Sequence, residues 1–100
     1  MKITTTMEGS RARLELEGRL DTVTSGQLAA ELGRLFEGEA LGLLFDFREL
    51  EYISSAGLRV LLTAQKKVKS LGTELEIANV NESVREVFDI TGFSGILTIL

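Results

Sequence analysis

Apolar and polar residues alternate in two short N-terminal stretches. Helical stripes and strand-length runs then take turns to the end of the chain. Residues 1–8 alternate weakly and predict a strand with Ile3 and Met7 inward. "EGSR" supplies the turn residues Gly9 and Ser10. "ARLELEG" alternates cleanly, with Leu14 and Leu16 on one face and Arg13, Glu15 and Glu17 on the other. That pattern predicts a half-buried strand, paired with the first as a hairpin. Thr24 and Gln27 have the spacing of a capping box. Leu28, Leu32, Leu35 and Phe36 follow on one helical face, and Gly38 is expected to end that helix.

"ALGLLFDF" is a continuous apolar run that predicts a strand over 41–47. A strand apolar on both sides belongs in the middle of a sheet with both faces covered, or nearly so. After "YISS", Leu58, Leu61, Leu62 and Val68 repeat at helical spacing, with Lys66, Lys67 and Lys69 turned to water and Gly72 at the end. "TELEIANV" alternates Leu75 and Ile77 as a strand. Asn81 caps a short helix with Val84, Val87 and Phe88 on one face, and Gly92 stops it. "GILTIL" is a last strand. The order is β-β-α-β-α-β-α-β. It predicts one α/β domain over residues 1–100, with a mixed, mostly parallel sheet, an N-terminal hairpin and three main helices. The segment from the central strand to the helix near residue 55 is then a βα loop. Open α/β sheets bind ligands and partners at such carboxyl ends.

Composition narrows the chemistry. The net charge is −4, from 15 acidic and 11 basic residues, which disfavours nucleic acid as the main partner. No window approaches the roughly 18 apolar residues of a membrane helix, and no N-terminal stretch has the layout of a signal peptide. Absence of cysteine fits a reducing compartment, and a cytoplasmic protein is expected. With no histidine and no cysteine, a Ser–His–Asp triad, a Cys–His pair and an ordinary zinc site are excluded within the chain. "SSAG" also lacks the glycine two before the serine that shapes a nucleophile elbow.

What remains is the serine pair in "LEYISSAGLRVLL". Serine is among the best helix N-caps, but one cap needs one serine. The other hydroxyl is left at the first turn, where the helix dipole and free N–H groups tolerate a phosphate. The chain carries no acidic residue from Ser54 to Lys69, and Arg59 lies within a turn of Ser55. Gly57 costs about 1 kcal/mol relative to alanine inside a helix. It fits either a close approach from outside or packing by a neighbouring loop. Asp21 suits a loop carboxylate that accepts from backbone N–H groups at the entry to the first helix, or a partner contact. Asp46 is expected to end a buried strand and bond backbone. Tyr52 and Ile53 fit core or rim, and Leu58 fits the core.

The same stretch resembles the signature of the STAS domain family, specifically its anti-sigma factor antagonists. They carry Asp-Ser-Ser/Thr-Gly-Leu-Gly/Arg at the start of the second helix. Gly57, Leu58 and Arg59 match its end; Ser55 stands at the phosphoacceptor, Ser54 in place of the Asp, and Ala56 in place of the second hydroxyl residue. "LEGRLDTVTS" is similar to the family's Gly-x-Leu-Asp segment, placing Asp21 and Thr22 there; "LLFDFRELEYIS" and "VREVFDITGF" are similar to its third strand and last helix.

The resemblance implies a binding module, not an enzyme, with no cofactor of its own. It would bind an anti-sigma factor that is also a serine kinase through Asp21, Thr22, Ser54, Ser55, Ala56, Gly57 and Arg59. Phosphorylation of Ser55, with Ser54 as the rival acceptor, would release it, and a PP2C-type phosphatase would reset it, so controlling sigma-dependent transcription. The alternative is a non-switching STAS subunit of a transporter-associated or sensory assembly, in which the serines only cap the helix.

Overall fold

In the computed structural model, which describes residues 1–38 and 41–100, five strands lie side by side in chain order. β1 (Lys2–Glu8) and β2 (Arg11–Leu20) form an antiparallel hairpin turned at Gly9, whose φ is 66°. β3 (Gly42–Ile53), β4 (Leu75–Ala78) and β5 (Thr98–Ile99) each add in parallel. α1 (Ser25–Leu35), α2 (Ser55–Leu71) and α3 (Glu82–Thr91) are the crossovers, and a 3-10 turn at Phe93–Gly95 leads into β5. The expected order and mixed sheet are the ones observed; the last strand is only the two residues of β5.

Each crossover steps one place in the same direction along the sheet. Right-handed connections of that kind stack their helices on one face. The core sits between that face and the helices: Leu14, Leu43, Phe45, Phe47 and Ile77 pack in one cluster with Leu28, Leu61, Val68, Val84 and Phe88. The expectation that β3 is covered on both faces, or nearly so, holds, but the second cover is not a helix layer. Leu44 and Asp46 face the other way and are only 7% and 6% exposed, yet Leu44 lies outside the core cluster. Long polar side chains cover this side. Arg11 on β2 reaches over β3 to Glu76 on β4 at 3.2 Å, and Arg13 meets Asp46 at 2.6 Å.

Several boundaries move for identifiable reasons. β3 does not stop at Phe47. Two register shifts, between Glu15 and Glu17 and between Gly18 and Arg19, each take up one extra residue of β3 and let β2 stay paired with it as far as Leu20 opposite Ile53. The expected loop before α2 is thereby reduced to Ser54, and Asp46 lies within β3, not at its end. Asp46 accepts from Arg48 N at 3.0 Å, as a backbone-bonding carboxylate should, and also from Asn79 Nδ2 at 2.9 Å. Burial pushes this carboxyl up. The bonds from Asn79 and Arg48 N, with the Arg13 and Arg48 charges, outweigh that and hold it below the usual range. Ala40, first residue of "ALGLLFDF", lies outside the described residues. Met7 is 52% exposed at the edge strand, not inward. α1 ends at Leu35, before Gly38. Gly72 and Gly92 close α2 and α3 at φ 75° and 80°, as their positions predicted, and Asn81 Oδ1 caps α3 by accepting from Val84 N at 2.9 Å.

One tie between sheet and helix titrates. Glu31 on α1 accepts from Arg34 Nε at 2.8 Å and from Thr5 Oγ1 on β1 at 2.5 Å. The Arg34 bonds first, then the Thr5 bond, lower its pKa from 4.5 to about 2. A depressed carboxyl stabilises the fold above its unfolded pKa, and that contribution fades as pH falls through the folded one. Thermal melts should lose stability between pH 4.5 and about 2. Glu31→Gln should lower Tm at neutral pH and leave a shallower acid slope in the same window. Equal slopes for the two proteins would contradict this assignment.

Candidate functional site

The parallel register of β2 and β3 brings the two polar segments singled out in the sequence side by side. Leu20 lies opposite Ile53, and Ser54 N donates to Leu20 O at 2.9 Å, extending the ladder by one bond. Asp21 and Ser54, 33 positions apart, thus leave adjacent strands at the same end of the sheet.

Ser54 is extended, at φ −101° and ψ 174°, and its hydroxyl accepts from Gly57 N at 3.4 Å. It is the N-cap. Ser55 is the first residue of α2 and is exposed. The two serines therefore divide as their spacing suggested, one tied to the backbone and one turned to water. Ala56 is half-buried beside Ser55, and Arg59 is exposed one turn on.

The Asp21 side is built differently from the expectation. The capping box does not form: Thr24 is helical at φ −91° and ψ −14°, and its side chain makes no cap bond. Its hydroxyl is already committed, donating to Arg19 O at 2.7 Å and accepting from Asp21 N at 2.9 Å. Gln27 Nε2 donates instead to Met1 O at 3.0 Å. Asp21 takes over helix entry, its Oδ1 accepting from Val23 N and Thr24 N, both at 3.0 Å. The Thr24 N–H first, then the Thr24 hydroxyl and Val23 N–H with the Arg19 charge, outweigh burial and hold this carboxyl below the usual range. The loop role expected of Asp21 is observed. Thr22 is exposed and accepts from Ser25 Oγ at 3.2 Å.

Gly57 gives no access to the backbone from outside, which corrects that reading, and the packing alternative is the one observed. It is buried, and an added Cβ would stand 2.7 Å from Leu20 Cγ, 3.0 Å from Ile53 Cγ1 and 3.0 Å from Leu20 O. The missing side chain lets α2 start directly against the ends of β2 and β3. Gly57→Ala should therefore destabilise by about 1 kcal/mol, overpacking of about 1–3 kcal/mol exceeding the helix-propensity gain of up to about 1. Urea unfolding measures it; a more stable variant would refute the packing argument.

Three features of this region escaped the sequence pattern. Val23 stands 88% exposed on the Asp21 turn; its signal was a lone apolar residue among polar ones. Arg19 lies 4.2 Å over the Tyr52 ring, a pairing across strands with no local signature. A groove of about 540 Å³ runs between α1 and α2 from Ser25 and Ala56 to Phe36 and Lys67, with Arg59 in its wall. Its signal was a stripe of small residues, Gly26, Ala29 and Gly33 on α1 and Ala56 and Ala64 on α2. Among the described residues, no three metal-ligating side chains come together, and no helix is long and apolar enough to cross a membrane.

The helix-backed mixed sheet, with Ser55 opening α2 where the central strand ends, is the arrangement expected of a STAS domain. The STAS domain model matches residues 3–100, and the chain belongs to that family. It is 37% identical over 84 residues to BtrV of Bordetella bronchiseptica, a candidate anti-sigma factor antagonist, covering 84% of this chain and 72% of that protein. It is 30% identical over 87 residues to the anti-sigma-B factor antagonist of Bacillus subtilis, covering 87% and 79%. The fold superposes on the anti-sigma factor antagonist SpoIIAA in its unphosphorylated form with a TM-score of 0.85, at 20% identity over 99% of this chain and 88% of that one. On the phosphorylated Bacillus SpoIIAA the TM-score is 0.77, at 19% identity over 99% and 91%.

Proposed function

We propose that this protein is an anti-sigma factor antagonist that switches partners through Ser55. Unphosphorylated, it binds an anti-sigma factor that is also a serine kinase, and so frees the sigma factor. The kinase then transfers the γ-phosphoryl group of ATP. The Ser55 Oγ–P bond forms as the bond to the ADP oxygen breaks, and the hydroxyl proton leaves to a base on the kinase. A PP2C-type phosphatase hydrolyses the ester and resets the switch.

The observation that carries this reading is the division of labour between the serines: Ser54 holds the helix cap while Ser55 is exposed at the first position of α2. A phosphate there meets the positive end of the helix, and no acidic residue stands in the first turn. BtrV and the Bacillus subtilis antagonist, similar over most of the chain, supply the partner class. Asp21, Thr22, Ser54, Ala56 and Arg59 form the docking rim around Ser55, and buried Gly57 shapes it from beneath.

Incubation with ATP and a candidate anti-sigma factor kinase from the same genome, followed by mass-spectrometric mapping, tests this reading. Phosphate is expected on Ser55 and absent from Ser55→Ala. An active kinase that leaves both serines unmodified would sink it. Phosphate on Ser54 alone would move the acceptor by one residue.

A further inference from the structure

We infer that the groove between α1 and α2 docks an apolar helical segment of the partner bearing carboxylates about two turns apart. On this inference, phosphate on Ser55 weakens that docking by drawing Arg59 to itself. The inference rests on the partner-switching reading above and names where, beyond the serine, the partner binds.

The groove is large and apolar enough for such a segment, at about 540 Å³, with Ala29, Gly33, Val60 and Ala64 among its walls. Two helices with small residues facing a shared trough make the kind of surface that takes an amphipathic helix. Its charge selects the occupant. The chain as a whole carries −4, yet α2 has four basic residues and no acidic one. Two of the four, Arg59 and Lys67, line the groove, and no acidic side chain does among the described residues. Neither forms an ion pair among the described residues, whereas Arg11, Arg13, Arg19 and Arg34 all do. Arg59 and Lys67 are eight residues apart, about 12 Å along the helix. An acyl chain with one carboxylate answers only one of them; a docked helix with two acids at that spacing answers both.

The groove also begins at the switch. Ser25 and Ala56 line its near end, and Ala56 is next to Ser55. Ser55 and Arg59 are four residues apart on α2, so their side chains share a face. Phosphate on Ser55 would add about −1.5 to −2 charges within reach of a guanidinium that has no ion pair among the described residues. Arg59 would then be neutralised by its own helix, and the incoming carboxylate would meet the phosphate instead.

The decisive measurement is calorimetric affinity for the kinase without ATP, for wild type, Lys67→Glu, Lys69→Glu, Arg59→Gln, and the Ser55-phosphorylated forms of wild type and Arg59→Gln. Lys67→Glu should weaken binding roughly tenfold, while Lys69→Glu, with the same charge change outside the groove, should stay within about twofold. Phosphorylation should cost less affinity in Arg59→Gln than in wild type. Amide shifts on kinase addition should reach Ala29, Gly33 and Ala64.

Equal losses in the two lysine variants, an undiminished phosphate effect in Arg59→Gln, or shifts confined to the Asp21 and Ser54 loops would each overturn the inference while leaving the switch standing. So would sedimentation showing the groove closed by a second copy. A wild type that neither binds nor is phosphorylated would instead remove the functional reading, and the groove with it.

Discussion

Phosphorylation at Ser55 is expected to weaken binding to the anti-sigma factor kinase about a hundredfold, which corresponds to roughly 3 kcal/mol. A phosphate in a docking face must shed water and meets acidic groups across the interface with repulsion, so no movement of the fold is required. Ser55→Asp carries one charge and should lose about tenfold; Ser55→Ala should bind like wild type. Ser54→Ala is the informative control. It removes the acceptor for Gly57 N and should cost about 1 kcal/mol of stability, with an affinity loss well below that caused by phosphate on Ser55. Calorimetric titration with melts of each variant separates the two serines. Equal binding by Ser55→Asp and Ser55→Ala would count against the switch.

Phe47→Ala should be the most damaging single truncation of the core, at about 3–5 kcal/mol. Phe47 is fully buried on β3, and its ring centroid lies 5.8 Å from Phe45 and 6.4 Å from Phe88 of α3. It thus joins the central strand to the last helix, and its loss leaves a cavity between two elements that cannot both collapse. A domain of this size has about 5–15 kcal/mol in total, so Tm should fall by about 15 °C or more. Urea unfolding with an unchanged m-value checks it. A loss below about 1 kcal/mol would mean the layer repacks freely.

The legible parts of the fold were those written in local chemistry. Asn81, Gly72 and Gly92 cap helices where their identities said they would, because capping needs only residues within a turn. Leu14, Leu16, Leu75 and Ile77 declared their strands by alternation. Thr24 and Gln27 misled for the opposite reason. Their spacing was right, but Arg19 O, Asp21 N and Met1 O competed for the same side chains. The apolar pattern of "LLFDF" suggested two covered faces. Arg11 and Glu76, from strands 65 positions apart in sequence, cover one of them with their own length. Gly57 fitted either an opening or a packing contact and is a contact.

By itself, then, the sequence determined the order of elements, the helix that starts at the serine pair, and the absence of histidine and cysteine chemistry. Each follows from residue identity and period over a few positions. Only the tertiary structure decided which serine is tied and which is exposed, that Leu20 fills the space Gly57 leaves, and that Arg59 shares a groove with α1. Those depend on the register between β2 and β3 and on how closely two helices approach. Both are set by side-chain volumes meeting across the fold, which no local period encodes.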